Sequence, residues 1–161
     1  MIRRANPAVE RAVARELLEY GAEPEALLSK GVLVVDRAGR VSICSPRAWE
    51  VLEGLGGACV SAGLEVGRMR GRRFELGLEG AWLIAGRARK YVRVNEKAEQ
   101  LVLYGRDVFM SSVVEAGEVG EGDRCIILSP RGDPIAIGRV GSGDVFVVNL
   151  QDRGAYLRKG E

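Results

Sequence analysis

RCIILS (Arg124–Ser129), IAIGRV (Ile135–Val140) and VFVVNL (Val145–Leu150) set the fold of the C-terminal half of this chain. All three are rich in Ile and Val, the composition of a strand. The breaks between them, PRGDP (Pro130–Pro134) and GSGD (Gly141–Asp144), are proline and glycine turns. The runs therefore read as an antiparallel meander. None alternates apolar with polar residues, so the pattern predicts that both faces are covered, one by a small barrel's interior and the other by a helix or second domain. The meander runs into NLQDRGAYLR (Asn149–Arg158), which reads as a packed closing element.

At 161 residues and 47% hydrophobic content the chain can build one mid-sized domain or two small ones, each with a core. No apolar run approaches the roughly 18 residues that cross a bilayer, and the start MIRRANP has no apolar signal-peptide core, so no membrane partner and a cytoplasmic location are expected. There is no histidine, which removes the commonest general base and the commonest metal ligand. No cofactor is expected. Cys44, Cys59 and Cys125 are far apart, lie among apolar neighbours and form no CxxC, the pattern of buried free thiols. Asn and Gln are few (Asn6, Asn95, Asn149, Gln100, Gln151), a composition suited to a heat-adapted, thermostable protein.

Asn6-Pro7 opens a helix as a capping side chain followed by proline, and Val9, Val13, Leu17 and Tyr20 recur at helical spacing until Gly21. Gly31–Asp36 and Val41–Cys44 flank Arg37–Arg40 as a hairpin, and Ser45-Pro46 restarts a helix to about Leu55 with Trp49 and Leu52 on one face. Two strands are expected at Cys59–Val66 and Arg73–Leu78, then a helical segment around Ala81–Ile84. Both tryptophans are expected in the core. A glycine and a basic cluster near Arg87–Lys90 separate two patterns, giving an N-terminal domain over 1–89 and a C-terminal domain over 90–161.

Residues 1–89 carry 14 basic against 11 acidic side chains, and residues 90–161 carry 10 against 11. The concentrated stretch is Arg68 to Arg93. There Arg68, Arg70, Arg72, Arg73, Arg87, Arg89, Lys90 and Arg93 face only Glu75 and Glu79, a local balance of +6. Such a patch is either an electrostatic footprint for a phosphate backbone or, in its first part, a solvated loop between two strands.

From Lys90 the order is a strand, YVRV (Tyr91–Val94), a helix containing AEQLVLYG (Ala98–Gly105), a strand over Val108–Ser112 and the three-strand meander. This resembles a PUA domain, a small RNA-binding barrel. Pro134, Ile135 and Gly138 in one strand, with the closing Asp152, Gly154, Tyr156 and Arg158, resemble the Nip-seven family of large-subunit ribosome-biogenesis factors. The N-terminal half is similar to the same family at VSAG (Val60–Gly63), Gly67 and FEL (Phe74–Leu76).

The resemblance implies a mixed α+β architecture, a small N-terminal α/β domain packed on a C-terminal PUA-like β-barrel with flanking helices. It also implies a non-catalytic factor in ribosome biogenesis and pre-rRNA processing, with RNA and other ribosome-assembly proteins as partners. In PUA domains the nucleic acid generally meets the segment after the first helix and the surface near the last strand, here Gly105, Arg106, Arg153, Arg158 and Lys159. Arg70, Arg72 and Arg73 join them from the central basic stretch. Gly105 serves equally as a helix cap. The chain departs from relatives at Asp144–Val148, where archaeal sequences tend to be basic, and at Phe109-Met110, where eukaryotic ones often place a lysine.

An enzyme is disfavoured because no glycine-rich nucleotide fingerprint, CxxC or nucleophile elbow is present, and GLGG (Gly54–Gly57) lacks the Lys-Ser/Thr of a phosphate loop. The alternatives are a translation-associated ribosome-binding factor of similar domain plan and a protein-binding adaptor, whose hallmark is an exposed apolar patch at Trp49 or Trp82.

Overall fold

The structure, a computed structural model, describes residues 1–56 and 58–159, with the side chain of Tyr156 excepted. Gly57 of the GLGG stretch therefore lies outside the described residues. The chain divides into two compact units, Met1–Leu18 with Ala22–Ile84, and Glu19–Gly21 with Ala85–Glu161.

The first unit contains β1 (Arg3–Arg4), α1 (Pro7–Glu19), α2 (Glu25–Leu28), β2 (Val32–Val35), β3 (Arg40–Cys44), α3 (Pro46–Gly54), β4 (Leu64–Arg70), β5 (Arg73–Leu76) and α4 (Leu78–Ile84). Its strands form one antiparallel sheet in the order β1-β2-β3-β4-β5. α1 starts where Asn6 Oδ1 accepts the Val9 amide at 3.0 Å. Val13 and Leu17, one turn apart, are buried completely on it. Ser45 caps α3 in the same way, accepting from the Ala48 amide at 3.1 Å.

Two strand expectations are corrected. β4 begins at Leu64 and not at Cys59, because Gly63 takes φ +71° where a Cβ would meet the Ile43 carbonyl, so the chain bends onto β3 before it can pair. β5 stops at Leu76, since the Gly77 amide donates to the Val66 carbonyl at 2.9 Å and Leu78 already opens α4. On α4 the residues Leu78, Ala81 and Ile84 are buried, which turns Trp82 outward, 49% exposed, against the core placement expected for it. Trp49 is half-buried on α3, a helix with no buried residue.

The second unit holds β6 (Tyr91–Val94), α5 (Glu96–Leu103), β7 (Val108–Phe109), a 3-10 turn (Met110–Ser112), β8 (Val113–Ala116), β9 (Arg124–Leu128), β10 (Pro134–Val140), β11 (Val145–Asp152) and α6 (Ala155–Arg158). The sheet order is β7-β11-β10-β9-β6-β8, antiparallel except for β6 beside β9. Its two edge strands, β7 and β8, are joined by only the three-residue turn, so the ends of the sheet meet and the barrel nearly closes. Val92, Val94, Ala98, Val102, Val108, Cys125, Ile127, Ala136 and Val147 make a continuous core. Gly138 is required there, because a Cβ would drive into the Val147 side chain.

The meander β9-β10-β11 is antiparallel, as its composition predicts. Burial on both faces holds for β9 and β10. It fails on β11, where Val148 and Leu150 are exposed, two positions apart on the face opposite the buried Val147, so that this face of the strand is left uncovered. Cys44 and Cys125 are buried thiols, whereas Cys59 is half-buried in the irregular segment before β4. Among the described residues no helix is long and apolar enough to cross a membrane.

Candidate functional site

The basic stretch between Arg68 and Arg93 is divided between the two units, and strand pairing neutralises much of it. Arg68 meets Glu65 at 3.6 Å and Arg70 meets Glu75 at 3.2 Å, while Arg93 meets Glu115 at 3.3 Å, Lys90 meets Asp123 at 3.2 Å and Arg89 meets Glu118 at 3.6 Å. Most of these acids lie outside the window, so a local charge count misses them. Arg72 and Arg73, at the tip of the β4–β5 hairpin, have no ion pair among the described residues. Arg70 is shared with Glu75.

The closing motif is a lock. Arg158 grips Asp152 through two parallel hydrogen bonds, Nη1 to Oδ1 at 3.0 Å and Nη2 to Oδ2 at 2.8 Å, and Nη1 also donates to the Leu103 carbonyl at the end of α5. The hydrogen bond to Asp152 holds the Arg158 guanidinium above its usual basicity, against the opposing effect of burial. Gly154 sits so close to the Leu103 carbonyl that a Cβ has no room. Gly105, at φ +84°, caps α5 by donating to the Val102 carbonyl at 2.9 Å, and a Cβ on it would lie 3.0 Å from Arg158 Nη2. Arg153 donates from Nε to the Pro134 carbonyl at 2.9 Å and from its amide to Ile135.

Of the residues singled out in the tail, then, Gly105 and Arg158 come together, but as packing partners. Arg153 is engaged with β10. Arg106 and Lys159 are exposed. Arg106 stands on a short connection, 104–109, pinned from β11. The Asn149 amide donates to Asp107 Oδ1 at 2.9 Å, and its Nδ2 donates to the carbonyls of Val102 at 3.0 Å and Arg106 at 3.2 Å.

On that pinned connection stand Tyr104, 73% exposed, and Phe109, 52% exposed, with Arg106 between them in sequence. The sequence reading gave neither aromatic a binding role. A signal existed, since Ala98 and Val102 mark the buried line of α5 four residues apart and Tyr104 falls off it, while Val108 points inward and leaves Phe109 outward. The arrangement offers two aromatic rings and a guanidinium on a fixed backbone, groups able to stack on bases and pair with phosphate.

Residues 90–161 match the UPF0113 PUA domain. The barrel just described is thus a PUA fold, and three solved structures support the same architecture over most of the chain. A conserved PUA domain protein from Thermoplasma acidophilum has a TM-score of 0.65 at 17% identity, with 99% of each chain covered. A PUA domain from Aeropyrum pernix K1, solved as a tartrate complex, has 0.65 at 14% identity, covering 98% of this chain and 88% of that one. A hypothetical protein from Pyrococcus horikoshii OT3 has 0.59 at 16% identity, with 94% of each covered. In sequence, a UPF0113 protein from Archaeoglobus fulgidus is 41% identical over 107 residues, 60% of this chain and 61% of that relative's length.

Proposed function

We propose that this chain is a non-catalytic, cytoplasmic RNA-binding factor that acts in assembly of the large ribosomal subunit and processing of its pre-rRNA, with other assembly proteins as partners. The observation that carries the reading is the exposed set Tyr104, Arg106 and Phe109 on the pinned connection of a PUA barrel. Aromatic stacking is worth about 1–3 kcal/mol per base and does not depend strongly on sequence, which suits an unpaired strand displayed by a folding rRNA. The assembly role rests on the resemblance of the motifs to the Nip-seven family.

Crosslinking in native cells followed by sequencing of the attached RNA tests it. Enrichment of large-subunit rRNA precursors is expected, with loss in a Tyr104→Ala, Phe109→Ala variant that remains folded. Small-subunit or initiator RNA in their place would favour a translation-associated factor. Failure to recover RNA would favour an adaptor, a reading to which the exposed Trp82, Leu101 and Leu157 lend support.

A further inference from the structure

The first unit carries a cleft unrelated to the 104–109 connection. It encloses about 410 Å³, a volume in the range of small-molecule sites. Val9, Val35 and Met69 form its apolar lining, Gly39 and Gly71 mark the two hairpin turns at its edge, and Arg3 and Arg37 stand at its mouth. The sheet builds this from distant sequence. Arg3 pairs with Val35, Arg40 pairs with Arg68, and the Met69 amide donates to the Gly39 carbonyl at 2.7 Å, which brings β1 and the tips of both hairpins to one end of the sheet.

Asp36 also lines the cleft, but Arg40 occupies it. Arg40 donates from its amide at 2.9 Å and from Nε at 2.6 Å. Burial alone would raise the Asp36 carboxyl, yet these bonds draw it below its ordinary value, so it stays an ion committed to Arg40. Arg3 and Arg37 are exposed and have no ion pair among the described residues. The result is an aliphatic floor under a rim of unpaired guanidinium groups.

We infer that this cleft is a nucleotide site, taking one unpaired base on Val9, Val35 and the Met69 thioether with the adjoining phosphates on Arg3 and Arg37. Thioethers make favourable contacts with aromatic rings, and guanidinium groups pair phosphate oxygens in bidentate fashion. An acidic peptide would use the rim and leave the apolar floor bare, so charge and shape together favour a nucleotide. The ligand chemistry is shared by a free nucleotide and by a nucleotide within an RNA strand. This inference does not depend on the role proposed for the PUA domain.

The test uses the full chain, a labelled ten-residue oligouridylate and uridine monophosphate. Affinity for the oligomer is measured from 50 to 200 mM salt in wild type, in Arg3→Glu, Arg37→Glu, and in a charge-matched control, Arg4→Glu, Arg47→Glu, at exposed positions off the cleft. The cleft variant is expected to reduce the slope of log affinity against log salt by about 1.4, about 0.7 for each phosphate released, while the control changes it by clearly less. Amide resonances of Gly39 and Gly71 should shift on titration with the oligomer. If uridine monophosphate shifts them equally the site takes free nucleotides, and if only the oligomer does it takes a strand. Equal slopes in the two variants, unmoved glycine resonances, or equal displacement by polyglutamate would overturn the proposal. A Tyr104→Ala, Phe109→Ala chain that binds the oligomer as tightly as wild type and keeps the glycine shifts would sink the PUA reading alone.

Discussion

At the scale of single residues, Gly154 and Asn149 do the positioning. Gly154 has an ordinary helical backbone, so its requirement is steric, the Leu103 carbonyl filling the place of a side chain. Gly154→Ala should lower stability by about 1–3 kcal/mol, read from the urea midpoint, as overpacking does elsewhere. Asn149→Asp would replace a donor by an oxygen facing two carbonyls and should cost about 1–3 kcal/mol, more than Asn149→Ser in the same measurement. The cysteines separate as sharply. Burial, with a smaller contribution from Asp123, pushes the Cys125 thiol up to about 12, and burial also raises Cys44. Cys59 is half-buried in a segment without regular structure. A thiol reagent at pH 8 should therefore modify one cysteine of the native chain, Cys59, and reach the other two only on unfolding; mass spectrometry of the labelled peptides checks this.

At the scale of elements, the β2–β3 hairpin is held by the Asp36–Arg40 contact, and its pH dependence follows from the sign of the shift. A carboxyl whose folded pKa lies below the ordinary value of 3.8 stabilises the fold above that value. The contribution is lost as pH falls through the lower, folded pKa. Asp123 behaves likewise, lowered first by the Gly120 amide and then by Lys90. Stability should thus fall as pH drops below about 3.8, and Asp36→Asn should flatten part of that decline while lowering stability at pH 6. Urea midpoints at four pH values decide it; an identical decline in the variant would remove Asp36 from the account. The same hairpin supplies Arg37 and Gly39 to the cleft, so an element that stabilises the sheet also shapes its charged end.

For the whole molecule, the relevant quantity is how many cations remain free once the fold has used its share. Arg158 and Arg153 are spent on the tail, and Lys90, Arg89 and Arg93 on acids within the second unit. Arg106 and Lys159 remain exposed there. Reversing both to glutamate should lower the salt slope of RNA affinity by about 1.4 with the folding midpoint unchanged. Reversing Arg158 instead leaves the buried Asp152 without its partner, so its first effect should be a lower urea midpoint. A changed midpoint in the first variant, or an unchanged one in the second, would reverse these roles.

The sequence by itself determined the meander and the capped helices, because Ile/Val runs, proline and glycine turns and Asn or Ser caps act over a few residues, and it pointed to the PUA-like barrel through the resemblance of its motifs. It also identified the closing Asp152, Gly154 and Arg158, without revealing that they form a lock. What only the tertiary structure decided was the state of each charge and the direction of each aromatic. Glu115, Glu118 and Asp123 reach their basic partners across strands 22 or more positions away, or through a turn, and no window of sequence contains those pairs. The cleft is of the same kind: β1, the β2–β3 tip and the β4–β5 tip are some thirty residues apart in the chain, and the register of one sheet brings them to a common edge. Local chemistry selects the elements, whereas long-range pairing decides which side chains are left over to bind.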